Sequence, residues 1–300
     1  MTRSFEPPAL PEPFEAPFVQ LLHELLARGL SPASRRDEHH RARRSQLGQS
    51  GTFVGHRRYA HGDDLRRLDW AAYARTGVLF VKQLAEDERR TATLLLDLSP
   101  RMCLGAPQRR LAALRLAAVV GGLALRQLDG VQVLAPGAKA LTVAAYSGAG
   151  DLVELLRHLA RLPVAAATEQ EVLATCEPRM GTGHVHWISD FARPDAAVRV
   201  LRALRRRGLG VTGWLPAIAE DERFAARGFV DVADPLTGQT LALPIDAGLV
   251  AAIEKELLRT RQRQDRVFTE CGARLLRWPA PAADDLRRSA YEPILAACAP

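Results

Sequence analysis

The apolar run Thr93-Leu94-Leu95-Leu96 delivers Asp97, Ser99 and Arg101 at alternate positions in DLSPRM. A carboxylate and two hydroxyls spaced as Asp-x-Ser-x-Ser at a strand end offer oxygen to a hard cation such as Mg²⁺. Here the third place holds Arg101, whose guanidinium has five donors, no acceptor and a permanent charge, so it is no ligand and repels a nearby cation. Two readings stand: a strand-to-helix loop whose polar groups satisfy the backbone, or a ligand-type site that has lost its metal. No resident cofactor is expected, and Mg²⁺ on Asp97, Ser99 and Asp190 is the disfavoured case. A second strand, HVHWISD at 184–190, ends in Ser189 and Asp190. Asp190 is expected to face Asp97, with Arg101 in the cation's place, paired to Asp97, Asp190 or both.

For two strand ends to meet, they must lie in one sheet. After residue 90, apolar strands near 92–98, 131–135, 139–145, 184–189, 210–215 and 229–233 alternate with helices near 107–128, 150–161, 168–177, 194–207 and 246–271. Continuously apolar strands separated by helices are what a parallel sheet covered on both faces requires. The fold class expected is therefore α/β, a doubly wound, mostly parallel sheet. Right-handed crossovers place Asp97 at the carboxyl edge, where such folds keep their ligand crevice.

Ahead of it, residues 1–17 carry five prolines and no apolar period, which reads as an extended tail. Phe18, Leu21, Leu22, Leu25 and Leu26 share one helical face that should dock on the main body, and Gly29 ends the run. The basic run RRDEHHRARR at 35–44 reads as a solvated helix face. Glycines, aromatics and short strand-like pieces from Gly48 to Lys82 suggest a small β-rich module. The domain plan is thus a tail at 1–17, a helix plus β-rich module at 18–90, an α/β domain at 91–280 and a C-terminal tail at 281–300.

The 300 residues suffice for a substantial core, and 41 Lys+Arg against 34 Asp+Glu would suit an acidic partner. That charge is nearly all arginine in a chain equally rich in Ala and Leu, which biased codon usage also produces, so it is discounted as a functional signal. Cys103, Cys176, Cys271 and Cys298 form no Cys-x-x-Cys pair, which suggests neither a disulfide framework nor a zinc knuckle. The longest apolar stretch, LAAVVGGLAL at 116–125, is far short of the ~20 residues a bilayer demands. A cytoplasmic protein is expected.

The segment GHRRYAHGDDLRRLDWAAYARTGVLFVKQLAEDE at 55–88, followed by a strand and DLSPRM, closely resembles the bacterial domain of unknown function 58 family, whose core is similar to a von Willebrand factor type A domain. Tyr59, Gly62, Asp63, Asp64, Arg66, Asp69 and Trp70 all sit in the family's pattern. The resemblance runs from about Leu47 to Asp190 and continues more weakly through DPLTGQTL at 234–241. It implies a metal-ion-dependent adhesion-site geometry on a doubly wound sheet and partnership with an AAA+ ATPase of the MoxR type. Asp97 and Ser99 match its ligands, Asp190 matches the later aspartate, and Thr168 is a weaker match to the distant threonine. Arg101 breaks the pattern, so the site is degenerate.

From the residues themselves, Asp63, Asp64 and Asp69 interleaved with Arg66 and Arg67 suggest a local ion-pair network. No nucleophile or glycine-rich phosphate loop accompanies them, so a structural role is preferred to catalysis and no catalytic residue is assigned. His184 and His186 alternate on one strand and share a face, two thirds of a zinc site, yet no third ligand stands at a recognisable spacing. Hydrogen-bonded strand histidines are the preferred reading. The leading function is a non-enzymatic adaptor that works with such an ATPase on an unknown client protein. Below it stand a nucleic-acid binder using residues 35–44 with Arg57, Arg58, Arg66 and Arg67, and a metal-dependent hydrolase.

Overall fold

The computed structural model describes residues 13–28, 52–85, 91–104, 109–128, 130–137, 142–181, 183–218, 228–234, 237–282 and 284–298. Two compact units divide the chain, one made of residues 31–89 and the other of 1–30 with 90–300.

Helix α1, Ala16–Arg28, opens the larger unit and buries Phe18, Leu21, Leu22, Leu25 and Leu26, the face read from its spacing. It packs on the sheet unit, so the expected domain 18–90 is corrected: its helix belongs with the sheet. The tail also ends sooner than expected. Pro13 is buried with its carbonyl accepting from Arg115 Nε, and the Phe14 ring lies 5.7 Å from Phe18. Residues 1–12 and the basic run 35–44 lie outside the described residues.

In the smaller unit, β1 (Thr52–Arg58) pairs antiparallel with β2 (Phe80–Ala85), and helix α2 (Trp70–Thr76) lies between them in sequence. Gly77 closes α2 at φ 69°, a left-handed turn that suits glycine.

The larger unit continues with β3 (Thr91–Leu96), α3 (Arg109–Gln127), β4 (Gly130–Ala135), β5 (Thr142–Tyr146), α4 (Leu152–Arg161), β6 (Gly183–Ile188), α5 (Pro194–Arg206), β7 (Gly210–Ala217), β8 (Gly228–Ala233), β9 (Thr240–Ile245), α6 (Ala247–Glu270), β10 (Arg274–Pro279) and α7 (Arg288–Cys298). Six strands form one sheet in the order β10-β7-β6-β3-β4-β5, parallel except for edge strand β5. Numbered along this sheet, that is the doubly wound order, and it reverses between β3 and β6. The expected fold class is the one observed.

Both sheet faces are covered. Leu94 and Leu96 point into a core built with α1, α3, α4 and α7, while Leu95 points to the opposite core with α5 and α6. Helix α3 is buried from Arg109 to Leu125, as an all-round apolar helix must be. Gly121 and Gly122 let its neighbours close in, since a methyl there would meet Leu155 Cδ2 at 2.8 Å and Leu26 Cδ1 at 2.9 Å.

Three elements escaped the sequence reading. Strand β9 pairs with β8 as a separate two-stranded sheet, and β10 closes the main sheet. Residues 281–300 are no tail, because α7 inserts fully buried Tyr291 and Ile294 into the core. Tyr291 packs its ring 5.4 Å from Trp278 and 6.0 Å from Phe18, and the Trp278 indole donates to Ala290 O at 2.9 Å.

Candidate functional site

β3 and β6 are neighbours, and the sheet order reverses between them, so their carboxyl ends open a crevice. The Asp97 N–H donates to Ile188 O at 2.9 Å, which carries the ladder one residue past β3. From there the Asp97 side chain turns the chain: Oδ1 accepts from Ser99 N–H at 2.9 Å, a local aspartate turn. Its other oxygen, Oδ2, accepts from the Ser189 hydroxyl at 2.7 Å, tying the two strand ends together. Pro100 then opens a short 3₁₀ turn, Pro100–Cys103, that carries Arg101.

The Arg101 guanidinium pairs with Asp190, Nε lying 3.2 Å from Oδ2, and not with Asp97. Arg109 Nη1 stands 3.9 Å from the same oxygen, and Asp190 Oδ1 accepts from Ala192 N–H at 3.0 Å. Of the expected cluster, Asp97, Arg101, Ser189 and Asp190 line one cavity of about 80 Å³ together with Trp187 and Arg193. Ser99 is 5% exposed, and its hydroxyl has no partner among the described residues.

Thr168 does something else. Its Oγ1 accepts from Glu171 N–H at 3.2 Å while the Glu171 carboxylate accepts from Thr168 N–H at 2.6 Å, a reciprocal capping box. The threonine thus starts the helical turn that begins at Glu169 and offers its oxygen to that turn.

These donors do not fit a divalent ion. Asp190 is taken by guanidinium, and each Asp97 oxygen already accepts a hydrogen bond. The Arg101 guanidinium in the same cavity would repel such an ion. The Ser99 hydroxyl and Arg101 Nε–H are the polar groups of this loop left without a hydrogen-bond partner among the described residues.

Sequence reasoning missed the support behind this crevice. Phe191 is buried yet adopts φ 46°, the left-handed region that bulky residues avoid. Its ring is held edge-on by Trp187 at 5.2 Å and Phe268 at 4.9 Å. Gln264 of α6, 5% exposed, donates from Nε2 to Phe191 O at 3.0 Å and Asp190 O at 3.3 Å, while its Oε1 accepts from Arg277 Nη2 at 2.9 Å. Nothing local in SDFAR signals that strain. Arg109 and Arg110 at the head of an apolar helix were a usable sign, since buried guanidiniums there need partners: Pro216 O for Arg109 and Leu162 O for Arg110.

The histidine pair is structural. His184 Nε2 lies 2.8 Å from Thr212 Oγ1, and Trp214 Nε1–H donates to His186 Nδ1 at 3.1 Å. Burial pushes both imidazoles down, His186 to about 3 with help from neighbouring His184. Among the described residues, no three His, Cys, Asp or Glu side chains gather as a metal site.

In the smaller unit, each of the three aspartates has partners among the described residues. Asp63 takes Arg57 Nη2 at 2.6 Å and Ala60 N–H at 2.8 Å; Asp64 caps the turn at Arg66 N–H. Asp69 caps α2 through Ala72 N–H and meets His56 Nε2 at 2.8 Å. The Ala72 N–H and then His56 hold the Asp69 carboxyl down at about 2. Backbone N–H groups together with the Arg57 and His56 side chains thus engage these carboxylates, and the Arg67 side chain lies outside what is described. Tyr59 N–H bonds Leu79 O, Gly62 turns at φ 103°, and Trp70 is exposed, its ring edge-on to Tyr73 at 6.3 Å.

The sequence profile of the family described as "Protein of unknown function DUF58" matches residues 55–263. "Uncharacterized protein Rv1480" of Mycobacterium tuberculosis is 31% identical over 235 residues, which covers 73% of this chain and 72% of that protein. Among solved structures, the conserved hypothetical protein BatB from Bacteroides thetaiotaomicron is similar with TM-score 0.40 and 13% identity, over 70% of this chain and 98% of that one. The SpRpn10 VWA domain is similar with TM-score 0.37 and 12% identity, over 66% and 93%. Among the described residues, no helix is long and apolar enough to cross a membrane.

Proposed function

The chain belongs to the DUF58 family, and from that premise we propose that it is a non-enzymatic interaction adaptor that works with a MoxR-type AAA+ ATPase on a client protein. Docking is through the crevice, a degenerate adhesion site in which the protein supplies its own fixed cation. The observation that carries the reading is Arg101 Nε standing 3.2 Å from Asp190 Oδ2 where the pattern asks for a hydroxyl ligand. A guanidinium is a fixed cation and needs no metal to present its charge. The Ser189 hydroxyl donates to an Asp97 carboxylate already engaged by Ser99 N–H, so the carboxylate ties the two strand ends together.

The test is recovery of partners. The tagged full chain is purified from its own host with ATP or a slowly hydrolysed analogue, and what accompanies it is identified by mass spectrometry. Nucleotide-dependent recovery of an AAA+ ATPase with a third protein is the expected result. Nucleic acid alone, bound with steep salt dependence, would replace this reading with the arginine-surface one.

A further inference from the structure

The smaller unit exposes two aromatic rings beside unpaired positive charge. Trp70, the first residue of α2, is 63% exposed, and its ring stands edge-on to Tyr73, itself 43% exposed, at 6.3 Å. The other three tryptophans, Trp187, Trp214 and Trp278, are buried. Large exposed aromatic surface is the informative exception on a folded chain, and tryptophan and tyrosine are frequent anchors of protein interfaces. Opposed residues of an antiparallel pair share a face, so the register Arg58↔Phe80 and His56↔Lys82 puts these four side chains on one face of β1 and β2. His56 Nε2 reaches Asp69 Oδ2 at 2.8 Å, and Asp69 N–H donates to Phe80 O at 2.8 Å, which fixes the start of α2 against that face.

Residues 52–85 hold six Lys and Arg against three Asp, an excess of three positive charges. The carboxylates are engaged within the unit, Asp63 by Arg57, Asp64 by Arg66 N–H and Asp69 by Ala72 N–H and His56. Among the described residues, exposed Arg58 and Lys82 form no ion pair. Behind Ala72 N–H and His56, Lys82 does help to hold the Asp69 carboxyl low, which puts its charge near the root of Trp70. We propose that this surface docks an acidic segment of a partner protein, an apolar side chain of that segment lying against Trp70 and Tyr73 and its carboxylates on Arg58 and Lys82. Arg58 and Lys82 are diagonal neighbours, roughly 7–8 Å apart in such a pair. Alternate side chains of an extended peptide are spaced about 7 Å apart, so two carboxylates one residue apart match them. A second copy of this chain would bring the same positive excess and be repelled. A nucleic acid needs a continuous positive track for its phosphates, and Arg57 and His56 are already engaged by Asp63 and Asp69.

The probe is a fluorescein-labelled synthetic peptide with two glutamates at alternate positions beside a pair of leucines, titrated into the full-length protein and followed by anisotropy. Acrylamide quenching of tryptophan emission reports Trp70, the exposed one of the four. Expected is saturable binding with half-saturation on the order of 100 µM, weakening with added salt, and Trp70 shielded from acrylamide in the complex. Trp70→Ala should weaken binding at least about fivefold, and so should Arg58→Ser combined with Lys82→Ser, or serines in place of the peptide's leucines. Arg101→Met should leave it unchanged, because the crevice takes no part. Binding of oligothymidine in preference to the peptide would make the surface a nucleic-acid one and overturn the proposal. It is equally overturned by peptide binding that Arg101→Met abolishes and Trp70→Ala spares, by a Trp70 already shielded from acrylamide in the free protein, or by no saturable binding at all.

Discussion

Gln264→Leu removes the strut behind the crevice. In the wild type one buried amide serves three groups: it donates to Phe191 O and Asp190 O, and it accepts from the Arg277 guanidinium. Leucine fills a similar volume but leaves two carbonyls and one charged donor without that partner. Losing neutral hydrogen bonds at about 1 kcal/mol and one to a charged group at about 1.5–3, less the gain from apolar burial, gives a net cost of roughly 2–4 kcal/mol. In a unit of this size that lowers the thermal midpoint by roughly 4–16 °C. The loop should respond beyond the global loss, because Phe191 at φ 46° costs about 1–3 kcal/mol that its surroundings must offset. Urea denaturation and amide exchange at Phe191 and Ala192 form the assay, with faster exchange at those two amides than the global loss accounts for. Gln264→Glu is the sharper control: it can keep Arg277 but turns a carboxylate toward two carbonyl oxygens, so it should be no better than leucine. A cost under about 0.5 kcal/mol, or Gln264→Glu behaving as wild type, would refute the strut.

Arg101→Ser restores the third hydroxyl, and isothermal titration should then detect Mg²⁺ binding that the wild type lacks; no gain would mean the engaged oxygens of Asp97 and Asp190 already spoil the site. Gly183→Ala should cost at least about 3 kcal/mol in urea denaturation, because Gly183 sits at φ 127° and a methyl there would lie 2.2 Å from the Thr91 carbonyl oxygen. His186 remains neutral in the fold down to about pH 3 while the unfolded chain takes up a proton near 6.5, so stability falls with pH across that window, by up to about 1.4 kcal/mol per pH unit for this group. His186→Asn, which can still accept from Trp214, should flatten the acid limb of a stability–pH curve; an unchanged slope would place the proton uptake elsewhere. Phe191→Gly relieves the left-handed strain by about 1–2 kcal/mol but loses a buried ring worth about 3–5, so a net loss of roughly 1–4 kcal/mol is expected by the same measurement.

What was legible in the chain followed from periodicity and from position in the sheet. A parallel strand buried on both faces has to be continuously apolar, so β3, β6 and β7 announced themselves, and the residue after such a strand has to emerge at the carboxyl edge. That is why Asp97, Ser189 and Asp190 were placed correctly from sequence. Partnership was harder to read, because it depends on competition. The sequence offered Arg101 two aspartates; in the fold it pairs with Asp190, while Asp97 accepts from Ser189. Thr168 exchanges hydrogen bonds with Glu171, three residues on, because a backbone N–H at a helix start needs an acceptor wherever the sheet leads. The C-terminal elements failed for another reason. β10 is short and carries Arg274 and Arg277 within RLLRWP, while α7 has Pro293 inside it, so neither shows a clean period, and both are stabilised by contacts that only the fold creates. Gln264 belongs to the same class: a polar residue on an exposed-looking helix, it becomes indispensable only when the β6 loop bends back on it. In this crevice the residues that could do chemistry were visible in the sequence, and the residues that decide whether they do it were not.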